Sequence, residues 1–425
     1  MKKCKLGLLA GVLWAMVSCG ETGSNLKYES AHTNAYDGVI KTGVVFSKSS
    51  NEWLVDSEIR NQLQFVVGQL NGLYGGADLS RTQITVKSKT AVGDLWKIEY
   101  EAQLLVAWPV ERQVGNYKLY LPKQGNYEYL SDMLGSYGES SGCLDYSAYD
   151  VGVGSFWYYY RPEKRGCAIG SGDHSHVIPT EISLTFSGEN TDGKSPEYDK
   201  VWEDGKLVVT SIFGKNEIDG QNWDAGTRAY SQFFGDLLST YGLPYESTYK
   251  DFNHRPTVDT PKISMKFRTA HGTLEVHMFL VGSIQSASSD FYETYNELTK
   301  ISDFVSYSGH SGLGANIRAL AGMGEFAAGQ YQIFLVNGCD TFAYVDDSLA
   351  AAHARVNPGS KGSKYLDIMV NAMPSYFHMN SRSNMAVITA LANKKKSYFE
   401  ILSDFDPNQR AIVLGEEDNS WPERF

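Results

Sequence analysis

The sequence is short of positive charge, short of cysteine and, after its first residues, short of long apolar runs. Its 38 Lys and Arg stand against 49 Asp and Glu, leaving a formal charge of −11 over 425 residues. Nucleic acid and anionic membrane surfaces reward clustered cations, so this balance argues against both as partners. Beyond residue 18 no segment approaches the ~20 consecutive apolar residues of a membrane-crossing helix, and the body reads as a globule in water. About four hundred residues exceed what one hydrophobic core supports, which predicts two or three domains. Cysteine is the most informative shortage. There are five, Cys4, Cys19, Cys143, Cys167 and Cys339. The first two fall in or beside a leader and the next two are close enough to pair. Cys339 is left as a thiol without a structural assignment.

Lys2, Lys3 and Lys5 followed by the apolar stretch 6–17 have the charged-then-hydrophobic order of a secretory signal peptide, too short to span a bilayer. Met16-Val17-Ser18-Cys19 resembles a bacterial lipobox, which implies removal of residues 1–18, lipidation of Cys19 and a polar tether over 19–25. Ordinary cleavage near Ser18, with Cys19 as a free thiol, is the alternative. Either route exports the chain, and loss of the three leader lysines takes the formal charge from −11 to −14. Gly20 stands where an inner-membrane retention signal would place Asp. The expectation is therefore an outer-membrane lipoprotein of a bacterial cell envelope, facing the periplasm or the outside and touching the membrane through its N-terminal lipid only.

Residues 26–190 read as an α+β domain rich in antiparallel strands, with a helix over 53–73 preceding strands at 83–89, 96–107 and 117–121. Ten tyrosines lie between Tyr117 and Tyr160, with Phe156 and Trp157 among glycines and serines. Such a cluster serves packing in β-rich domains and also suits a surface for sugar rings or peptides. Cys143 and Cys167 bracket much of this region and predict a disulfide in an oxidising compartment. A zinc site adding His174 and His176 is the alternative, although the spacing fits no finger motif. Loop composition over 187–196 marks a domain boundary.

From residue 200 the pattern alternates. Strands are expected at 206–212, 274–281, 304–308, 333–337 and 365–370, and helices around 229–241, 291–298, 316–328, 344–354 and 383–394, the first stopped by Gly242 and Pro244. This alternation predicts a parallel sheet with helices on both faces.

Two of the strands end in chemistry. Phe334-Leu-Val-Asn-Gly leads into Cys339, and Val305-Ser-Tyr-Ser-Gly leads into His310. Active sites of open parallel sheets lie beyond the carboxyl ends of the strands, and neighbouring strands run about 4.8 Å apart. A thiol and an imidazole are thus expected side by side, the arrangement for nucleophilic attack by Cys339 with His310 as base. A helix starting just after Cys339 would favour its thiolate. Gly309, Gly312 and Gly338 leave room for a substrate backbone, and the main-chain N–H groups of Cys339, next to Gly338, and of Ser311 are the expected oxyanion donors. Asn371 and Ser375, at the end of the next strand, are candidate pocket residues.

The blocks Val305-Ser-Tyr-Ser-Gly-His310-Ser-Gly and Phe334-Leu-Val-Asn-Gly-Cys339-Asp-Thr resemble the histidine and cysteine blocks of the caspase-like cysteine peptidases, the group of gingipains, legumains, caspases and clostripain. The resemblance covers residues 200–425. It implies an α/β, three-layer domain with a mostly parallel sheet, a peptide or protein substrate, no cofactor and no metal. Only His310, as general base, and Cys339, as nucleophile, carry over. That family follows its histidine directly with glycine, whereas here Ser311 intervenes before Gly312. A literal His-Gly occurs at His271-Gly272, but no apolar strand leads into it; His353 and His378 have no comparable setting. The expected function is an exported, lipid-anchored cysteine endopeptidase. The alternatives are a catalytically inactive caspase-like lipoprotein that binds protein or glycan, and a metal-dependent hydrolase at His174 and His176.

Overall fold

The computed structural model describes residues 35–109, 112–138, 142–148, 150–187, 195–360 and 363–415. The leader, the tether and Cys19 lie outside these residues, as does 188–194 of the boundary loop.

Strands β1 (Ala35–Ser47), β2 (Gly76–Ala77), β3 (Gln83–Val92), β4 (Leu95–Ala107), β5 (Asn116–Pro122) and β6 (Val177–Phe186) form an antiparallel sheet in the order β2-β4-β1-β6-β5, with β3 on β4. The expected order, helix before strands, is corrected by β1, which precedes the helix and sits inside the sheet. Gly38 and Gly43 interrupt its apolar pattern, yet a Cβ at Gly43 would stand 2.4 Å from the Tyr100 ring, so the strand needs glycine there. The helix Glu52–Asn71 is capped by Asn51, whose side chain accepts from the Trp53 and Leu54 N–H groups. Its buried face, Ile59, Leu63, Val66, Val67 and Leu70, packs into the same core as the sheet, each side chain contributing roughly 2 kcal/mol of transfer free energy.

Most of the aromatic cluster is packing. Phe65, Phe156 and Tyr160 form an edge-to-face trio at 5.2–5.5 Å, and Tyr137 is buried beside them, while Tyr127 and Tyr146 remain exposed. Cys143 and Cys167 form a disulfide. With both sulfurs so engaged and the His174 and His176 rings against Tyr120, Tyr129 and Tyr137, the zinc alternative loses its ligands; among the described residues no group of three His, Cys, Asp or Glu suits a metal ion.

The second sheet comprises β7 (Lys206–Gly214), β8 (Glu246–Ser247), β9 (Lys262–Thr269), β10 (Gly272–Val281), β11 (Phe304–Ser308), β12 (Gln332–Asn337), β13 (Leu366–Asn371) and β14 (Ala411–Leu414), in the order β14-β13-β12-β11-β7-β10-β9-β8. The five central strands are parallel, β14 and β9 run antiparallel to them, and β8 pairs antiparallel with β9 at the outer edge. Every residue of β11, β12 and β13 is buried, as strands covered on both faces require. Phe304, Ile333, Leu335 and Met369 pack with the helices Ala225–Tyr241 and Asn380–Asn393. Val305, Tyr307, Phe334 and Val336 face the opposite way, toward the helices Ser289–Thr299, Ala315–Gly322 and Ser348–Val356, in an apolar cluster that continues into the first sheet and its helix. The chain is thus an α/β protein with one antiparallel and one mixed sheet.

From β7 the chain passes to β10 on one side and then to β11 on the other, moving outward through β12 and β13. The direction of winding therefore reverses between β7 and β11, where a crevice opens beyond the strands' carboxyl ends.

Candidate active site

Strands β11 and β12 are parallel neighbours with Ser308 opposite Asn337. Advancing equally along each puts His310 and Cys339 level on adjacent strand ends. The Gly309 N–H donates to the Asn337 carbonyl at 3.1 Å, which carries the pairing past the strands themselves. Gly338 has to be glycine, because a Cβ there would lie 2.9 Å from the Gly309 carbonyl oxygen and 3.3 Å from the Ser311 nitrogen.

His310 is held at both ends. Its carbonyl accepts from the Tyr307 hydroxyl and from Asn316 Nδ2, each at 2.8 Å. Its exposed ring stands edge-on to Phe377 at 5.2 Å and brings Nε2 to 3.1 Å from the carbonyl of Asn216, just beyond β7. A carbonyl only accepts, so Nε2 carries the hydrogen and a neutral ring keeps its lone pair on Nδ1. The group that orients the His310 ring is thus a main-chain carbonyl, which has no side-chain signature in a sequence.

Cys339 is half-buried and its thiol donates weakly to the Ser375 carbonyl at 3.9 Å. No hydrogen bond joins its sulfur to the His310 ring. Burial, with the Asp340 carboxylate next in sequence, pushes the thiol up to about 11, so the resting sulfur keeps its proton. The expected helix after Cys339 is replaced by a single 3-10 turn, Thr341–Ala343, and the next α-helix begins only at Ser348, leaving little dipole at the sulfur. Asp340 makes this turn in the left-handed region, φ 51°, a conformation that costs of order 1 kcal/mol outside glycine. Its carboxyl group is fully buried and pushed up to about 7 by that burial. Neither oxygen is satisfied at hydrogen-bond geometry; Tyr158, Asn71 and Arg161 of the N-terminal half face it at longer range. Tyr158 and Tyr159 also lie within electrostatic reach of the Cys339 sulfur. The tyrosine-rich half therefore forms one wall of the site.

Ser311 is buried, and neither its N–H nor that of Cys339 donates to any described residue. Two main-chain donors on adjacent strand ends are thereby free for a developing oxyanion. Asn371 is corrected as a pocket residue. It is fully buried, and its Nδ2 donates to Asn337 Oδ1 at 2.7 Å and to the Gly338 carbonyl at 3.1 Å, bracing the turn that carries Cys339. Ser375 meets the site through its carbonyl.

Beneath the turns lies a polar network that sequence reasoning missed. Gln409 Nε2 donates to Asn337 Oδ1 at 2.9 Å, Asn337 Nδ2 donates to Asn380 Oδ1 at 3.1 Å, and Asn384 Nδ2 donates to Ser308 Oγ at 2.9 Å. All are buried, so the strand ends are tied together by polar side chains.

Other histidines are elsewhere. His271 occupies the β9–β10 hairpin at the amino end of β10, the opposite end of the sheet from the crevice. His353 is buried against Phe326, and exposed His378 lies beside Tyr376. A groove of about 580 Å³ is lined by Trp53, Trp157, Leu313, Arg318, Tyr344 and Asp346 among others, with walls from both halves of the chain; Leu313 lies three residues after His310, and neither His310 nor Cys339 lines it.

No protein-family model matches this sequence and no curated protein matches it, so the site's chemistry rests on its own geometry.

Proposed function

We propose that this chain is a cysteine endopeptidase of caspase-like layout, exported and lipid-anchored at Cys19, which hydrolyses peptide bonds with Cys339 and His310. The observation that carries the reading is the register: paired strands β11 and β12 end in a histidine and a cysteine at the same height, with the histidine ring fixed by a carbonyl from the third strand of the crevice. In the reaction, Nδ1 of His310 takes the thiol proton as the sulfur attacks the substrate carbonyl. The Ser311 and Cys339 N–H groups receive the negative oxygen, and the imidazolium returns its proton to the departing amine. Water then hydrolyses the thioester with the same ring as base. The groove that starts at Leu313 supports a peptide substrate, since it offers aromatic and charged groups, Trp53, Trp157, Tyr344, Arg318 and Asp346.

The test is cleavage of a diverse peptide library by the purified chain, compared with Cys339→Ser and His310→Ala. Cleavage at a consistent residue type that both substitutions abolish supports the proposal; equal residual cleavage in all three proteins refutes it. One observation favours a second reading, a lipoprotein that binds protein or glycan without cutting it: the thiol is pushed up and bonded to Ser375 instead of the imidazole. Binding of peptides or glycans without any product would select that reading.

A further inference from the structure

We propose that Asp224 is the positioning residue for His310, acting through the peptide group that joins Asn216 to Glu217; the proposal rests on the Cys339–His310 reading. Asp224 is buried at the start of the helix Ala225–Tyr241, where its Oδ1 caps the Gly226 and Thr227 N–H groups at 2.8 and 3.2 Å. Capping accounts for only those two bonds. The same carboxylate also accepts from the Asn216 N–H, Oδ1 at 3.0 Å, and from the Glu217 N–H, Oδ2 at 2.9 Å. Burial opposes its ionisation, yet four main-chain donors hold the carboxyl below its usual range.

The geometry of one peptide unit turns this into control of the histidine. In a trans peptide the N–H of one residue and the C=O of the residue before it point in opposite directions within one plane. Because the Glu217 N–H is aimed at Asp224, the Asn216 C=O is aimed away from it, and it meets His310 Nε2 at 3.1 Å. Carboxylate, peptide and imidazole therefore form one hydrogen-bonded chain. The charge at one end polarises the carbonyl toward the ring and stabilises an imidazolium at the other, as linked hydrogen bonds strengthen one another in a low-dielectric setting. The backbone leaves little slack: a Cβ on Gly226 would lie 2.1 Å from the Gly214 carbonyl oxygen, and one on Gly220 would lie 2.4 Å from Asp224 Oδ2.

The test uses the purified full chain as wild type, Asp224→Ser and Asp224→Asn. Serine keeps a cap for Gly226 and Thr227 but is too short to reach Glu217, while asparagine keeps Oδ1 and turns an amide toward the Glu217 N–H. Three readouts are taken: melting temperature, the tautomer of the His310 ring by nitrogen-15 NMR, and the pH profile of Cys339 alkylation by iodoacetamide. Both variants are expected to fold but to melt below wild type, because buried N–H groups lose an acceptor, to lose the uniform Nε2–H tautomer, and to alkylate about 10- to 100-fold more slowly near neutral pH with a displaced acid limb. A folded Asp224→Ser protein with the wild-type tautomer and rate overturns the proposal, and if that variant does not fold, Asp224→Asn decides on the same criteria. Failure of the peptidase reading is separately visible, as alkylation that His310→Ala leaves unchanged, because the ring tautomer reports the grip of Asp224 whether or not the site is catalytic.

Discussion

Replacing His353 with leucine is expected to flatten the acid side of the stability curve by about 2 kcal/mol between pH 7.5 and 5. The ring is 1% exposed, neither nitrogen has a hydrogen-bond partner, and the Phe326 ring lies 4.5 Å away. Burial lowers its pKa from 6.5 to about 4. A base whose folded pKa is depressed binds fewer protons in the native state than in the unfolded one. Stability is therefore complete above the unfolded value near 6.5 and is lost as the pH falls toward 4. Linkage over that interval totals roughly 3 kcal/mol, of which about 2 kcal/mol is gone by pH 5. Asp303, pushed up to about 8 by burial, works in the opposite direction, and it is common to both proteins and cancels in the comparison. The assay is urea unfolding by tryptophan fluorescence at pH 7.5, 6 and 5 for wild type and His353→Leu. The wild type should lose about 2 kcal/mol more than the variant across that range; parallel losses would show that the ring is not buried neutral, and the reasoning would fail.

Asn384→Leu removes the donor to Ser308 Oγ and the acceptor used by Ser211 and Ser306, all buried. The stranded hydroxyls should cost about 2–4 kcal/mol in urea unfolding, and a loss under about 1 kcal/mol would show that the network does not brace the strand ends. Asp340→Asn deletes the carboxylate that helps to raise the Cys339 thiol. In a His310→Ala background at pH 8 to 9 it should speed alkylation by about threefold or more, and an unchanged rate would remove Asp340 from the electrostatics of the sulfur.

The alternating half of the fold was legible because parallel strands buried on both faces read as short apolar runs. Phe304–Ser308 was located to the residue, and the ends of β11 and β12 pointed directly at His310 and Cys339. Strand β1 was not legible, since its two glycines mimic turn punctuation while serving close approach to Val106 and Tyr100. The asparagine network was hidden for a related reason. Asn337, Asn371, Asn380 and Gln409 are polar residues of the kind found at exposed strand and helix ends, and only their mutual hydrogen bonds make them core residues. The Asn216 carbonyl left no trace because any residue supplies one. The wall made by Tyr158 and Tyr159 depends on a contact across much of the chain's length, which periodicity does not report.

The most direct test of the Cys339–His310 pair is iodoacetamide labelling of the folded chain from pH 5 to 9, wild type against His310→Ala, with Cys339 read by mass spectrometry. A thiol assisted by the imidazole should label at least about tenfold faster in wild type near neutral pH, while the variant follows the raised thiol alone and reacts appreciably only at the alkaline end. Equal rates in the two proteins, or labelling of Cys339 only after unfolding, would contradict the account and leave a buried structural cysteine.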